Sequence, residues 1–237
     1  MRIGIMQPYF IPYLGYFSLI KQTDRFILFD TVQFIRHGWI ERNRILKPNS
    51  GWQYIGVPLK KHSRETKIKD IKIQMEQDWR TRIFRQLEHY KKRAPFYSQT
   101  IDILEQGLSL ETDDIVKLDE YLLRAICHYI GINANISVLS EMGLYIEEAN
   151  APDEWALNIC NSIGNIDEYW NPEGGLEFFD KNKYERAGIG IHFLKMNLNR
   201  YSQKRDIFEP GLSIIDVMMF NGPKEINEML DEYVLVK

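Results

Sequence analysis

Along the first thirty residues the spacing of apolar positions changes twice. Arg2 to Gln7 is a short run of buried-strand type, Pro12 to Gln22 carries apolar residues at helical spacing, and Phe26 to Phe29 is a compact apolar run again. The pattern predicts a β-α-β unit of about thirty residues, the size of a mononucleotide-binding half. In RNRILKPNSGWQYIGVPL, two β-rich runs flank the turn-forming cluster Lys47-Pro48-Asn49-Ser50-Gly51, which predicts a β-hairpin. Lys69 to Ile73 alternates in polarity and predicts a further short strand.

From Asp78 to about Ile130 the period becomes helical. Asp78 is placed to cap WRTRIFRQLEHYKKR, and Pro95 opens a new helix after Ala94. Ile115, Leu118, Leu122, Ile126 and Tyr129 form an apolar stripe that ends at Gly131, a residue suited to a helix C-terminus. Beyond it the pattern predicts strands at Asn135 to Leu139, Ile166 to Trp170 and Ile189 to Leu194. Helices are expected at Pro152 to Ile163, Ser213 to Phe220 and Glu225 to Tyr233. Strands alternating with helices predict one α/β domain over residues 1–237, with a largely parallel, Rossmann-like sheet flanked by helices. The hairpin is an insertion, and residues 78–130 are expected to cap one end of the sheet.

Composition narrows the class. With 44% apolar and 13% aromatic residues in 237, the chain is long and apolar enough for a substantial core. Cys127 and Cys160 lie in apolar helical patterns and read as buried free thiols. There is no targeting signature or long apolar run, so a cytoplasmic protein without membrane insertion is expected. The net charge of −3 conceals an asymmetry: residues 36–93 hold 16 Lys and Arg against 6 Asp and Glu, leaving 14 against 27 elsewhere. Part of this is the solvated face of a helix, and the remainder points to a phosphate-bearing partner: a nucleotide, a nucleotide sugar or an RNA.

Ligands of open α/β sheets sit outside the carboxyl ends of the strands. That rule nominates Gln7 after the first strand, and Asp30, Gln33 and Arg36 after the second, followed by His37, Arg42 and Asn43. Asp30 is equally suited to capping a turn, and Gln33 and Asn43 to hairpin hydrogen bonding. Among five histidines, His37 is the best general-base candidate, because it falls in the polar loop after the second strand. No histidine has metal-ligand spacing with a His, Cys or carboxylate, so no metal site is expected, and no GxSxG, P-loop or GxGxxG is present. Gly174-Gly175 reads as a tight turn. Ser213 is a natural helix cap, and Asp216 sits in the first turn of an otherwise apolar helix, where the helix dipole favours a carboxylate.

Several longer stretches carry a family resemblance. MQPYFIPYLGYFSLI, FDTVQFIRHGWIERNRI, WQYIGVPL, HYKKRAPFY and YSQ…F…LSIIDVMMFNG resemble, in order and spacing from Met6 to Gly222, the WbqC-like family of bacterial proteins. The resemblance implies a place in surface polysaccharide and O-antigen (lipopolysaccharide) synthesis. It also implies transfer of an acyl group, glycyl or another aminoacyl among the options, to a nucleotide-linked amino sugar. It brings no established catalytic residues. On that reading His37 or Asp30 is the base, and Gln7, Gln33 and Asn43 orient the substrate. Arg36, Arg42 and Lys60 hold phosphates, and Tyr9, Tyr13 and Tyr16 wall the pocket. Tyr201, Asp216 and Asn221 complete the substrate-binding candidates. No tightly bound cofactor is expected beyond the activated acyl or aminoacyl donor, for which an aminoacyl-tRNA is one option.

A second resemblance covers one motif. Phe10-Ile11-Pro12-Tyr13-Leu14-Gly15-Tyr16 is similar to the strand–turn–helix motif of nucleotidylyltransferases of the HIGH superfamily, with tyrosines at both histidine positions. It implies a nucleotide-binding architecture, and keeps open a nucleotidyltransferase-like enzyme using a nucleoside triphosphate. A non-catalytic nucleotide-binding protein of the same pathway is the third reading. A phenol donates a hydrogen bond but brings no positive charge to a transferring phosphoryl group.

Overall fold

The computed structural model describes residues 1–236. The predicted β-α-β opening is present: β1 (Arg2–Met6), α1 (Leu14–Gln22) and β2 (Arg25–Leu28) follow one another, with β1 and β2 parallel. A hairpin of β3 (Arg42–Leu46) and β4 (Trp52–Gly56) forms a separate two-stranded sheet around the Lys47–Gly51 turn. The helices α2 (Trp79–Leu87), α3 (Tyr97–Leu108) and α4 (Ile115–Tyr129) come next. The remaining elements are β5 (Ile136–Val138), α5 (Glu154–Ile163), β6 (Glu168–Pro172), α6 (Lys181–Arg186) and β7 (Gly190–Met196). Then come α7 (Ile214–Phe220), α8 (Pro223–Met229) and β8 (Tyr233–Val236).

The main sheet has six strands in the order β5-β2-β1-β6-β7-β8, parallel except for β8. The chain builds outward from β1 in one direction through β2 and β5, then in the other through β6 and β7. The strand order therefore reverses between β1 and β6, which opens a crevice at their carboxyl ends.

Side-chain alternation divides the core as a sheet covered on both faces requires. Phe26 and Leu28 of β2 and Trp170 of β6 face a large core with α1, α4, α7 and the hairpin. Ile3 and Ile5 of β1, Ile27 and Tyr169 face the opposite core beneath α5 and α6. Cys127 and Cys160 are free and buried on opposite faces, and burial pushes each thiol up to about 12. Neither is a nucleophile at neutral pH.

The expected caps at Asp78 and Ser213 are in place, accepting from Thr81 N and Ile215 N, and Asp114 caps α4 by accepting from Val116 N and Lys117 N. Within residues 78–130, α4 is the crossover helix that returns the chain to β5 and packs over the sheet face. The α2 helix lies against β4, and α3 bridges α4 and α7.

Two local expectations require correction, and one helix had no counterpart among them. Lys69 to Ile73 is a short 3-10 turn at Ile68–Asp70 with isolated bridges, because its N–H groups go to the loop carbonyls of Val32, Asp30 and Asp113. The last predicted helix ends at Met229, and Tyr233 begins β8, whose run Tyr-Val-Leu-Val pairs with β7. The α6 helix gave no periodic signal because Tyr184 is its one buried residue.

Candidate functional site

The Gln7–Tyr13 turn leaves β1 at the reversal point and is stapled to three distant segments. Phe10 N donates to Trp39 O, and the carbonyls of Phe10, Ile11 and Pro12 accept from Asn43 Nδ2, Ser213 Oγ and Ile214 N in turn. These four bonds, 2.7–3.1 Å long, hold buried Ile11 at φ +41°. That region is sterically closed to most β-branched residues, and such a backbone costs about 1–3 kcal/mol unless its surroundings over-determine it. The over-determination here comes from the hairpin and the start of α7, so the turn is a composite of the whole chain.

The turn forms one wall of a crevice of about 280 Å³. Tyr9, Pro12 and Tyr13 line it from the turn, Trp39 and Arg44 from the hairpin region, and Leu198 from the loop after β7. The Arg44 guanidinium lies over the Trp39 and Trp52 rings, 5.4 and 5.1 Å from their centroids. Its Nη2 donates to Gly211 O at 3.0 Å, while its Nε is buried without a partner. Flat stacking walls beside a fixed guanidinium suit a planar or ring-bearing anionic ligand.

At the same ends of the sheet, Glu173 follows β6 and pairs with Lys195 of β7 at 3.1 Å. Tyr13 has its phenol pushed above the ordinary value by burial first, then by the negative charge of Glu173 and by coupling to the neighbouring Tyr9 phenol. Both Tyr9 and Tyr13 therefore act as hydrogen-bond donors at neutral pH rather than as bases. Glu173, Trp39 and Arg44 escaped the reading of the sequence. The strand-exit rule would have found Glu173 once β6 was known to lie beside β1, and adjacency is not visible in the sequence.

Gly15 sets the position of Tyr13. A Cβ at Gly15 would lie 2.5–2.6 Å from the Tyr13 ring, which folds back over the start of α1. Gly15→Ala, a favourable change by helix propensity alone, is expected to displace the Tyr13 ring from the crevice. The measurement is the fluorescence and accessibility of the crevice aromatics together with thermal stability; an unchanged environment would show that Tyr13 is not held by this contact.

The other predicted residues fall in several places. Asn43 is buried, with its Oδ1 accepting from Arg44 N, and it lines the crevice while stapling the turn. Tyr16 is fully buried, its hydroxyl donating to Gln7 O, so it belongs to the core rather than to a pocket wall. Asp30 is buried, both carboxylate oxygens accepting from Ser140, one from N and one from Oγ. This is the turn-capping role that the sequence also allowed. Gln33 and Arg36 line a different cavity of about 550 Å³ with His62 and Arg64, and Gln33 Nε2 donates to Arg64 O.

His37 is exposed at φ +64°, and its carbonyl accepts from Arg42 Nη2 at 2.5 Å. Lys60 pairs with Asp113 at 3.2 Å, away from the crevice residues. Asn221 Nδ2 donates to Val217 O and closes its own helix. Asp216 is buried, accepting from Tyr90 and Tyr201 hydroxyls and from Gln203 Nε2, so these residues form a structural network beneath the hairpin. Burial raises the Asp216 carboxyl above its usual range, against the pull of those three donors.

Among the described residues no group of three or more His, Cys, Asp or Glu is arranged to hold a metal ion, and no helix is long and apolar enough to cross a membrane. No solved structure gives a significant match to the chain. A curated relative, the uncharacterized protein Rv1507c of Mycobacterium tuberculosis (strain ATCC 25618 / H37Rv), is 30% identical over 232 residues, covering 97% of each chain. The profile of the WbqC-like proteins matches residues 7–228, from the strained turn through the buried network to α8. The chain therefore belongs to the WbqC-like protein family.

Proposed function

We propose that the chain is a transferase of surface polysaccharide synthesis, moving an acyl or aminoacyl group onto a nucleotide-linked amino sugar held in the β1/β6 crevice. The observation that carries this reading is the strained, four-fold-stapled turn that sets Tyr9 and Tyr13 opposite Trp39 and Arg44 where the strand order reverses. Strain concentrated at a strand exit is a mark of pre-organisation for a ligand. The aromatic faces suit a base or sugar ring, and the guanidinium a phosphate.

The step is balanced simply. The sugar amine attacks the acyl carbonyl carbon, a C–N bond forms, and the bond to the carrier breaks, the carrier leaving with the proton that the amine gives up. A base must accept that proton first, and the tyrosine hydroxyls are available to the developing oxyanion. The candidates for that base are His37, Asp30, whose oxygens also accept from Ser140, and Glu173. The nucleotidyl-transfer reading loses support, because Tyr16, at the second histidine position, is turned into the core.

The test is incubation with UDP- and dTDP-linked amino sugars and acyl or aminoacyl donors, read by mass spectrometry, with titration of the same nucleotides. Arg44→Ala is expected to weaken binding by about tenfold to a hundredfold, the value of a charge-assisted hydrogen bond. A broad panel in which no sugar nucleotide binds or gains mass would remove the reading.

A further inference from the structure

Outside the crevice, the solvent face of the hairpin carries an alternating series of cations and rings. Arg42 lies over Tyr54 at 4.1 Å, Tyr54 meets Trp52 edge-on at 5.1 Å, and Arg44 lies over Trp52 and then Trp39. The register places Arg44 directly across from Tyr54, and by strand alternation Arg42 and Trp52 share that face. Trp39, Trp52 and Tyr54 are each more than a third exposed, an unusual density of large rings in solvent.

This face runs into a basic groove. Arg82 Nη2 donates to Gly56 O and Gln86 Nε2 to Tyr54 O, joining α2 to the ladder across a cleft of about 400 Å³. Beyond it lies a groove of about 1150 Å³ between α2, the residues after it and the hairpin turn, containing Arg82, Arg85, Lys91, Lys92 and Arg93. Its two carboxylates are Asp78, occupied in capping α2, and Glu88. Among the described residues none of the five cations forms a salt bridge. Five cations against two carboxylates leave the groove net positive, which argues for a partner with several negative charges.

We propose that the ladder and the groove together bind single-stranded RNA, the rings stacking on its bases and the groove holding its phosphates. The pairing of a sequence-tolerant stacking platform with a basic channel is what single strands require, and RNA loops and ends offer unstacked bases. An acidic peptide would satisfy the groove and leave the rings unused. The binding stands without the transferase reading; only the direction of the strand, whose course along the ladder ends at the crevice through Arg44 and Trp39, rests on it.

The experiment is fluorescence anisotropy of the full chain with labelled single-stranded RNA of mixed sequence, over a salt series. Single-stranded DNA, duplex RNA and inorganic polyphosphate are the comparison probes. Trp52→Ala/Tyr54→Ala is expected to weaken RNA binding by about tenfold or more. Arg85→Ala/Lys92→Ala/Arg93→Ala is expected to flatten the log–log salt slope by about 0.7 for each phosphate that is no longer neutralised. All five positions are surface-exposed, and circular dichroism checks that both variants fold. No RNA binding at low salt, equal binding of polyphosphate, preference for a duplex, or indifference to the ladder variant would each overturn the proposal. Sugar-nucleotide titration of the groove variant separates the two readings, since its residues lie outside the crevice.

Discussion

Asp216→Ala is expected to destabilise the protein by about 3 kcal/mol and to lower its melting temperature by about 6–12 °C. The carboxylate is buried and receives three donors from two distant segments: Tyr90 after α2, and Tyr201 and Gln203 in the loop after β7. Tyr90 in turn accepts from Leu46 N in the hairpin, and Gln203 is tied to Glu209 through both ends of its amide. Removing the centre leaves buried donors unpaired, which costs more than the bonds themselves were worth. Asp216→Asn keeps the shape and accepts at one oxygen, so it is expected to lose about a third as much. Differential scanning calorimetry of the two variants supplies the comparison. A loss under about 0.5 kcal/mol for the alanine variant would show that the network is not what fixes the hairpin.

Asp119 presents the opposite case. It is fully buried on α4, and neither of its oxygens has a hydrogen-bond partner among the described residues. Burial first, then the nearby negative charges of Glu41 and Asp114, hold its carboxyl well above the usual range. Below the unfolded pKa, near 4, both states carry the proton and the group contributes nothing to the pH dependence. As pH rises, the unfolded chain ionises while the folded protein keeps its proton, so stability falls until the folded group titrates.

Asp119→Asn removes this dependence. The stability difference between the variant and the parent is therefore expected to grow above pH 4 by up to about 1.4 kcal/mol per pH unit. Comparing the two at each pH cancels the acid-side loss from Asp113, Glu154 and Asp231, whose carboxyls are held down by hydrogen bonds from Lys60, Lys183 and Lys21. Denaturant midpoints from pH 4 to 8 supply the measurement; parallel curves would mean that Asp119 is ionised and compensated in the folded state.

Local signals carried much of the fold. The period switch at residues 2–29, the cap at Asp78 and the stripe ending at Gly131 each depend on residues within a turn or two of one another, and each is found in place. Lys69–Ile73 misled because alternation describes exposure, which a 3-10 turn bonded to loops satisfies as well as a strand. The α6 helix was silent because a short helix resting on one tyrosine has no period to detect.

For the site, the strand-exit rule nominated Gln7, Asp30, Gln33 and Arg36, while the tyrosines of the turn came from the family resemblance; of these, Tyr9 and Tyr13 line the crevice. The reversal of strand order is between β1 and β6, and this brings the charge of Glu173 to bear on Tyr13. Asp216 looked like a carboxylate on a helix dipole, and its actual partners are 13, 15 and 126 residues away in the chain.

What the sequence determined by itself was most of the elements, the α/β class and the special status of QPYFIPYLGYF, since all three rest on local periodicity and on residue types unusual for a turn. The tertiary structure alone decided which strands are neighbours, that Ile11 is held in a strained conformation, and that Arg44 and Trp39 face Tyr9 and Tyr13. Those facts depend on contacts between residues far apart in the chain, and no local pattern of residues encodes them.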